Sequence, residues 1–188
     1  LKAVDGVSFT VAAGDTFGLV GESGCGKTTL ARALLYLDPP TAGEVLFQGT
    51  ALGGLSRARL RGFRRHMQIV FQDPNGALDP KMSIRASLGE GLANLGVGRE
   101  ERQRRAAEAL ELVGIQPAHA ERYPHEFSGG QKQRITIARA LSMDPRVLVL
   151  DEPVSNLDVS IQAHIVNLLL DLKNRLARTD LFISDDLN

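Results

Sequence analysis

Val7, Phe9 and Val11 alternate with polar or small residues, the period-two spacing of a half-buried strand. After the turn Ala13-Gly14-Asp15, residues 16–20 read as a second strand running into a glycine-rich loop. Residues 28–37 have helical spacing and stop at Asp38-Pro39-Pro40. A further strand is expected over 44–48, closed by Gly49, then a helix over 55–65 and a short apolar strand over 67–71. From Asp73 the texture changes. Asp-Pro, Asn-Gly and a second Asp-Pro crowd residues 73–80, a dense set of turn signals.

Residues 83–94 and 99–113 then read as helices. Glu101 with Arg105, and Arg104 with Glu108, stand four apart, as on a solvated helix face. Strand texture returns only at 147–150, so a sheet-based core (1–78 and 145–188) is interrupted by a helical insert (79–144). Ile161, Ile165, Leu168, Leu172 and Leu176 recur at helical spacing over 158–178, with Asp158 placed to cap the start. Leu181-Phe182-Ile183 is another strand-like run. The start at Leu1, already inside an apparent strand, and the stop at Asn188 predict an internal piece of a longer protein. The pattern predicts an α/β fold.

The 22 basic and 22 acidic residues cancel, which argues against bulk nucleic acid or an anionic membrane as the main partner. A single cysteine, Cys25, excludes a disulfide framework and suits a reducing compartment. No apolar run approaches the roughly 18 residues of a membrane span. The arginines at 57, 59, 61, 64 and 65 lack an aromatic platform beyond Phe63 and are expected on a solvated helix.

Candidate chemistry begins at Gly21-Glu22-Ser23-Gly24-Cys25-Gly26-Lys27-Thr28, which fits the phosphate-loop pattern G-x-x-x-x-G-K-[ST] between a strand and a helix. Glycines let successive N–H groups converge on phosphate oxygens, and the helix N-terminus adds its dipole. Lys27 is expected to reach the β- and γ-phosphates and Thr28 to hold Mg²⁺, with Thr29 beside them. Cys25 fills a variable position as a small packing residue. Val147-Leu148-Val149-Leu150 ends in Asp151-Glu152. At the carboxyl end of a parallel strand these acids lie beside the phosphate loop. Asp151 can support Mg²⁺ through water, and Glu152 can polarise a water for attack on the γ-phosphate.

Phe127-Ser128-Gly129-Gly130-Gln131 supplies a second anion site, a hydroxyl and free N–H groups at a helix start. Here the chain resembles the nucleotide-binding subunit of ABC transporters, whose signature is usually Leu-Ser-Gly-Gly-Gln; Phe127 departs from it. The resemblance implies a phosphate-loop ATPase core with a small antiparallel N-terminal sheet and an inserted helical signature subdomain. It implies that Ser128, Gly129, Gly130 and Gln131 face ATP held by a second ATPase subunit, head to tail. It also implies that Gln72 approaches Mg²⁺ and senses the membrane partner, and that Ser155-Asn156-Leu157-Asp158 couples the two sites. The adenine-stacking aromatic of the family falls before Leu1, leaving Phe9 as strand core.

Phe71-Gln72-Asp73-Pro74, followed by Leu78-Asp79-Pro80-Lys81-Met82, resembles the ATPases of oligopeptide, dipeptide and nickel importers. The implied function is Mg²⁺-dependent ATP hydrolysis driving import through membrane permease subunits, at the cytoplasmic face of the inner membrane, with no nucleic-acid partner. The alternatives are a non-transport ABC ATPase of translation or DNA repair, and a degenerate cassette. One departure motivates the last. The family's switch histidine, usually in Ile-Ser-His-Asp-Leu, is replaced by Asp185 in Ile183-Ser184-Asp185-Asp186-Leu187. An ionised aspartate accepts hydrogen bonds but donates none, and it adds negative charge to an anionic site.

Overall fold

The computed structural model describes residues 2–185, so Leu1, Asp186 and Leu187 of the expected motifs lie outside the described residues. Its centre is a parallel sheet in the order β1-β6-β5-β4, built from Thr16–Val20 (β1), Met67–Val70 (β4), Val147–Asp151 (β5) and Thr179–Ser184 (β6). Parallel strands are buried on both faces, which is why they read as near-continuous apolar runs. Side chains alternate across β5. Leu148 and Leu150 enter one core and Val149 the other. Leu181 and Ile183 of β6 join Val149.

On the Val149 side, Lys27–Leu34 (α1) and the hairpin Leu46–Phe47 (β2) with Thr50–Ala51 (β3) close the core through Ala31, Leu35, Phe47 and Leu52. On the other side the chain runs through Pro74–Ala77 (α3), Ile84–Asn94 (α4), Arg99–Leu112 (α5) and Gly129–Leu141 (α6). Ile84, Leu88, Leu110, Ile135 and Ile137 from these helices form one core with Val70, Leu148 and Leu150 of the sheet. Val159–Leu176 (α7) adds Ile165, Leu169 and Leu172 to it. Arg57–Arg65 (α2) stands on the surface with no fully buried residue, as its arginines imply. No helix among the described residues is long and apolar enough to cross a membrane.

Several expected boundaries move, each for a local reason. Residues 7–11 form no strand, although Phe9 stacks on Phe17 with centroids 4.8 Å apart. Alternation marks one apolar face, but a strand also needs a partner for its backbone, and among the described residues none pairs with it. The first helix ends at Leu34 rather than Leu37 because Tyr36 turns to φ 54°, from which a right-handed helix cannot continue. The strand expected over 44–48 shrinks to two residues, since Gln48 and Gly49, both at positive φ, make a two-residue hairpin loop. The helix expected from Leu55 starts at Arg57, where Ser56 accepts from the Arg59 N–H. At the start of α7, Asp158 occupies the cap position but its side chain accepts no cap hydrogen bond. At the far end Leu176 is 41% exposed, and Leu169 takes a core place instead.

Candidate nucleotide site

The carboxyl ends of β1, β5 and β6 bring three loops together, because β6 inserts between the other two. The loop after β1 leads through Gly24 at φ 80° to Gly26 at φ 100°, the cap position of α1. A Cβ on Gly26 would meet the carbonyl oxygen of Ala3 at 2.3 Å, so both the left-handed backbone and the close approach require glycine. No side chain caps α1, which leaves its first N–H groups facing the loop. Over Gly21 lies the Cys25 sulfur, 2.8 Å from where a Cβ would stand; the cysteine itself is exposed. That agrees with a small filler in the loop.

Lys27 is buried, and its ammonium donates to the carbonyl oxygens of Gly21 (2.8 Å) and Glu22 (2.9 Å) and to the Asp185 carboxylate. Asp185 therefore raises the Lys27 pKa, while its own is lowered chiefly by the hydrogen bond from Lys27. The Thr28 hydroxyl donates to Oδ1 of Asp151 at 3.3 Å, joining the loop to the end of β5. Burial is the main cause pushing the Asp151 carboxyl up. Burial likewise raises the Glu152 carboxyl, followed by a hydrogen bond with Asp185. Glu152 sits at φ 47°, and its N–H donates to the carbonyl of Ile183 at 3.0 Å. The end of β6 also accepts from Gly21, whose N–H lies 3.4 Å from the Ser184 carbonyl oxygen.

Gln72 is exposed after β4, and its amide donates to the Ser155 hydroxyl at 2.9 Å; Ser155 in turn donates to the Glu152 carbonyl at 3.2 Å. The structure thus ties Gln72 to the turn after β5 rather than to Thr28 and Asp151. Ser155 is the member of this chain that the sequence reading did not single out, although it stands in the quoted Ser155-Asn156-Leu157-Asp158 motif.

Ser128 starts α6 as expected, but its hydroxyl serves as a helix cap rather than standing free. Its hydroxyl accepts from the Gln131 N–H (3.3 Å), and the Gln131 side chain accepts from the Ser128 N–H (3.0 Å), a closed capping box. Gly130 allows α6 to approach α7, since a Cβ there would lie 2.7 Å from Cγ2 of Ile161. Gly129 faces Leu157 at a looser 3.9 Å. Among the described residues, no hydrogen bond or ion pair joins Ser128 to Gln131 with the phosphate loop. Asp158 stays exposed, with only its backbone carbonyl engaged, by Ile161 and Gln162.

These residues fit a nucleotide with Mg²⁺. The glycine cradle and the uncapped α1 N-terminus suit phosphate oxygens, and a hydroxyl beside a single carboxylate suits a hard cation that shares its remaining positions with phosphate and water. The Glu22, Ser23 and Thr29 side chains are exposed around the loop.

Residues 4–155 match the ABC transporter family. Over its whole length the chain is similar to a putative peptide import ATP-binding protein of Brucella ovis, 55% identical over 188 residues. It is also similar to the oligopeptide transport ATP-binding protein OppF of Bacillus subtilis, 51% identical over 191 residues. Both alignments cover 100% of this chain but only 59% and 63% of those relatives, so the chain spans less than two thirds of their length. Among solved structures, a dimeric ATP-binding cassette in a post-hydrolysis state with ADP and Pi is 31% identical, with a TM-score of 0.86, covering 99% of this chain and 81% of that one. The protein cbiO1 of Clostridium perfringens, described as part of the ABC transporter complex cbiONQ, gives the same TM-score and identity over 98% of this chain and 72% of its own. The phosphate loop, the acids ending β5 and the Ser-Gly-Gly helix start therefore sit on a shared cassette fold, and the chain belongs to the ABC transporter family.

Proposed function

We propose that the chain is the ATP-binding and ATP-hydrolysing part of an importer for peptides, or for nickel as in the same ATPase group. The observation that carries it is the meeting of Lys27, Thr28, Asp151 and Glu152 at the ends of β1 and β5, with curated relatives of peptide import and oligopeptide transport. The loop glycines Gly21, Gly24 and Gly26, with Lys27, Thr28 and Thr29, hold phosphates. Thr28, Asp151 (through water) and Gln72 would hold Mg²⁺, which would neutralise charge on the phosphates. Glu152 takes the proton of the attacking water, and the product phosphate leaves with the oxygen of that water. Ser128, Gly129, Gly130 and Gln131, on the helical signature subdomain (79–144), act on ATP held by a second ABC ATPase subunit, to which Asp158 couples. The assembly works with membrane permease subunits at the cytoplasmic face of the inner membrane.

A second reading is a cassette that hydrolyses slowly, and the Asp185–Lys27 ion pair favours it. One experiment separates the two: phosphate release from the protein at its natural length, beside its Asp185→His and Glu152→Gln variants. Loss of release in Glu152→Gln is expected on either reading. A gain of about tenfold or more in Asp185→His, roughly 1.4 kcal/mol of barrier, supports the slowed cassette, whereas equal rates support an ordinary one. Unchanged release in Glu152→Gln would remove the base assigned here.

A further inference from the structure

An ammonium has three N–H donors. All three of Lys27 are spent, on the Gly21 and Glu22 carbonyl oxygens and on Asp185. The lysine side chain is 6% exposed and the Asp185 side chain 43% exposed, so the ion pair opens to solvent on the Asp185 side. A phosphate oxygen that reaches Lys27 must replace one of these three acceptors. Two belong to the loop backbone that cradles the phosphates, and moving them dismantles the cradle. Asp185 is the exchangeable one. It follows the end of β6, beside the contacts of Ser184 with Gly21 and of Ile183 with Glu152, so it is anchored on the lysine without being locked in place.

From this geometry we infer that the Asp185 carboxylate is a built-in competitor for the terminal phosphates of a nucleotide, occupying Lys27 until a triphosphate displaces it. A carboxylate presents two oxygens with negative charge, as a phosphate presents three, and the lysine accepts either as a point-charge partner. This device rests on the nucleotide reading of Gly21 to Thr28 and adds to it a selectivity. Ligands with β- and γ-phosphates meet the competitor, and a monophosphate, too short to reach Lys27, does not.

The test is equilibrium binding to the protein at its natural length, with Mg²⁺ and a non-hydrolysable ATP analogue, and separately with AMP. Asp185→Asn keeps the shape and removes the charge; Asp185→Ala removes both oxygens. Both variants are expected to bind the triphosphate analogue at least about tenfold more tightly and AMP unchanged. Equal triphosphate affinity in wild type and variants overturns the competitor, as does an equal gain for AMP, which would point to a general charge effect. If wild type and variants alike bind neither ligand, the nucleotide reading itself fails, and the competitor with it.

Discussion

Glu152 is held at φ 47°, a left-handed conformation that costs a non-glycine residue about 1–3 kcal/mol and persists only where surroundings enforce it. The Ile183 carbonyl and Ser155 hydroxyl are those surroundings. A base works only unprotonated, and burial with Asp185 raises this carboxyl. At low nucleotide concentration, where the rate reports the groups of the nucleotide-free protein, phosphate release is therefore expected to fall with decreasing pH at values above the ordinary carboxylate range. In Asp185→Asn the fall shifts to lower pH, though not fully, because burial remains. A pH–rate profile of both proteins checks this. A second substitution probes the approach of α6 to α7. Gly130→Ala drives a methyl into Ile161 and should cost about 1–3 kcal/mol of stability. Part of the cost should vanish in the double variant with Ile161→Ala, as measured by a denaturation cycle. Lys27, Thr28, Asp151 and Glu152 were legible because each is spelled within a short contiguous motif. The pairings Lys27–Asp185 and Gln72–Ser155 were not, since their partners meet only through the order of strands.

The helices expected over 83–94 and 99–113 fall within one residue of the observed ones at each end. Ser83 caps α4 and Ser56 caps α2, each accepting an N–H from the first turn, and the expected helices differ from the observed ones by one or two residues. Residues 7–11 were misread as a strand, because alternation marks an apolar face and not a partner for the backbone. The most consequential omission is at the start of β6. Arg178 and Asp180, two apart, share one face and form an ion pair at 2.8 Å with side chains 2% and 0% exposed. Charged residues are seldom fully buried, and the sequence analysis ended a helix at Arg178 and began the strand-like run only at Leu181, without considering this pair. Burial raises the Asp180 carboxyl against the pull of Arg178. Removing one partner strands the other charge. Arg178→Met is expected to cost about 3–5 kcal/mol, while Arg178→Met with Asp180→Leu should recover most of it. Chemical denaturation of the three proteins decides. If the double variant is no better than the single one, the loss comes from packing rather than from a buried charge.

At the scale of the whole molecule, the fold class and the interrupted order of sheet, helices and sheet were visible in periodicity alone. The merging of the helical segment with the sheet was not, because periodicity shows which face is apolar and not what covers it. Leu110 of α5 and Leu148 of β5 belong to one core, both completely buried. Leu110→Ala and Leu148→Ala should each cost about 2–5 kcal/mol. Both should lower a single cooperative transition followed at any probe; separate transitions would mean that the two segments unfold independently.

The strand order also has a consequence for how the protein is made. Among the described residues β1 pairs with β6 in the parallel sheet, Thr16 opposite Asp180 through Val20 opposite Ser184. On a ribosome the phosphate loop is synthesised early, yet its strand has no place in that sheet until Ser184 has emerged. Hairpins and helices in between can form as they appear, but closing the sheet must wait for its most sequence-distant contact, the kind of step that slows folding. A nascent chain halted before β6 would carry every residue of Gly21 to Thr28 and still lack the neighbouring strand that supports them. The nucleotide site is thus assembled late, by insertion of β6 between β1 and β5.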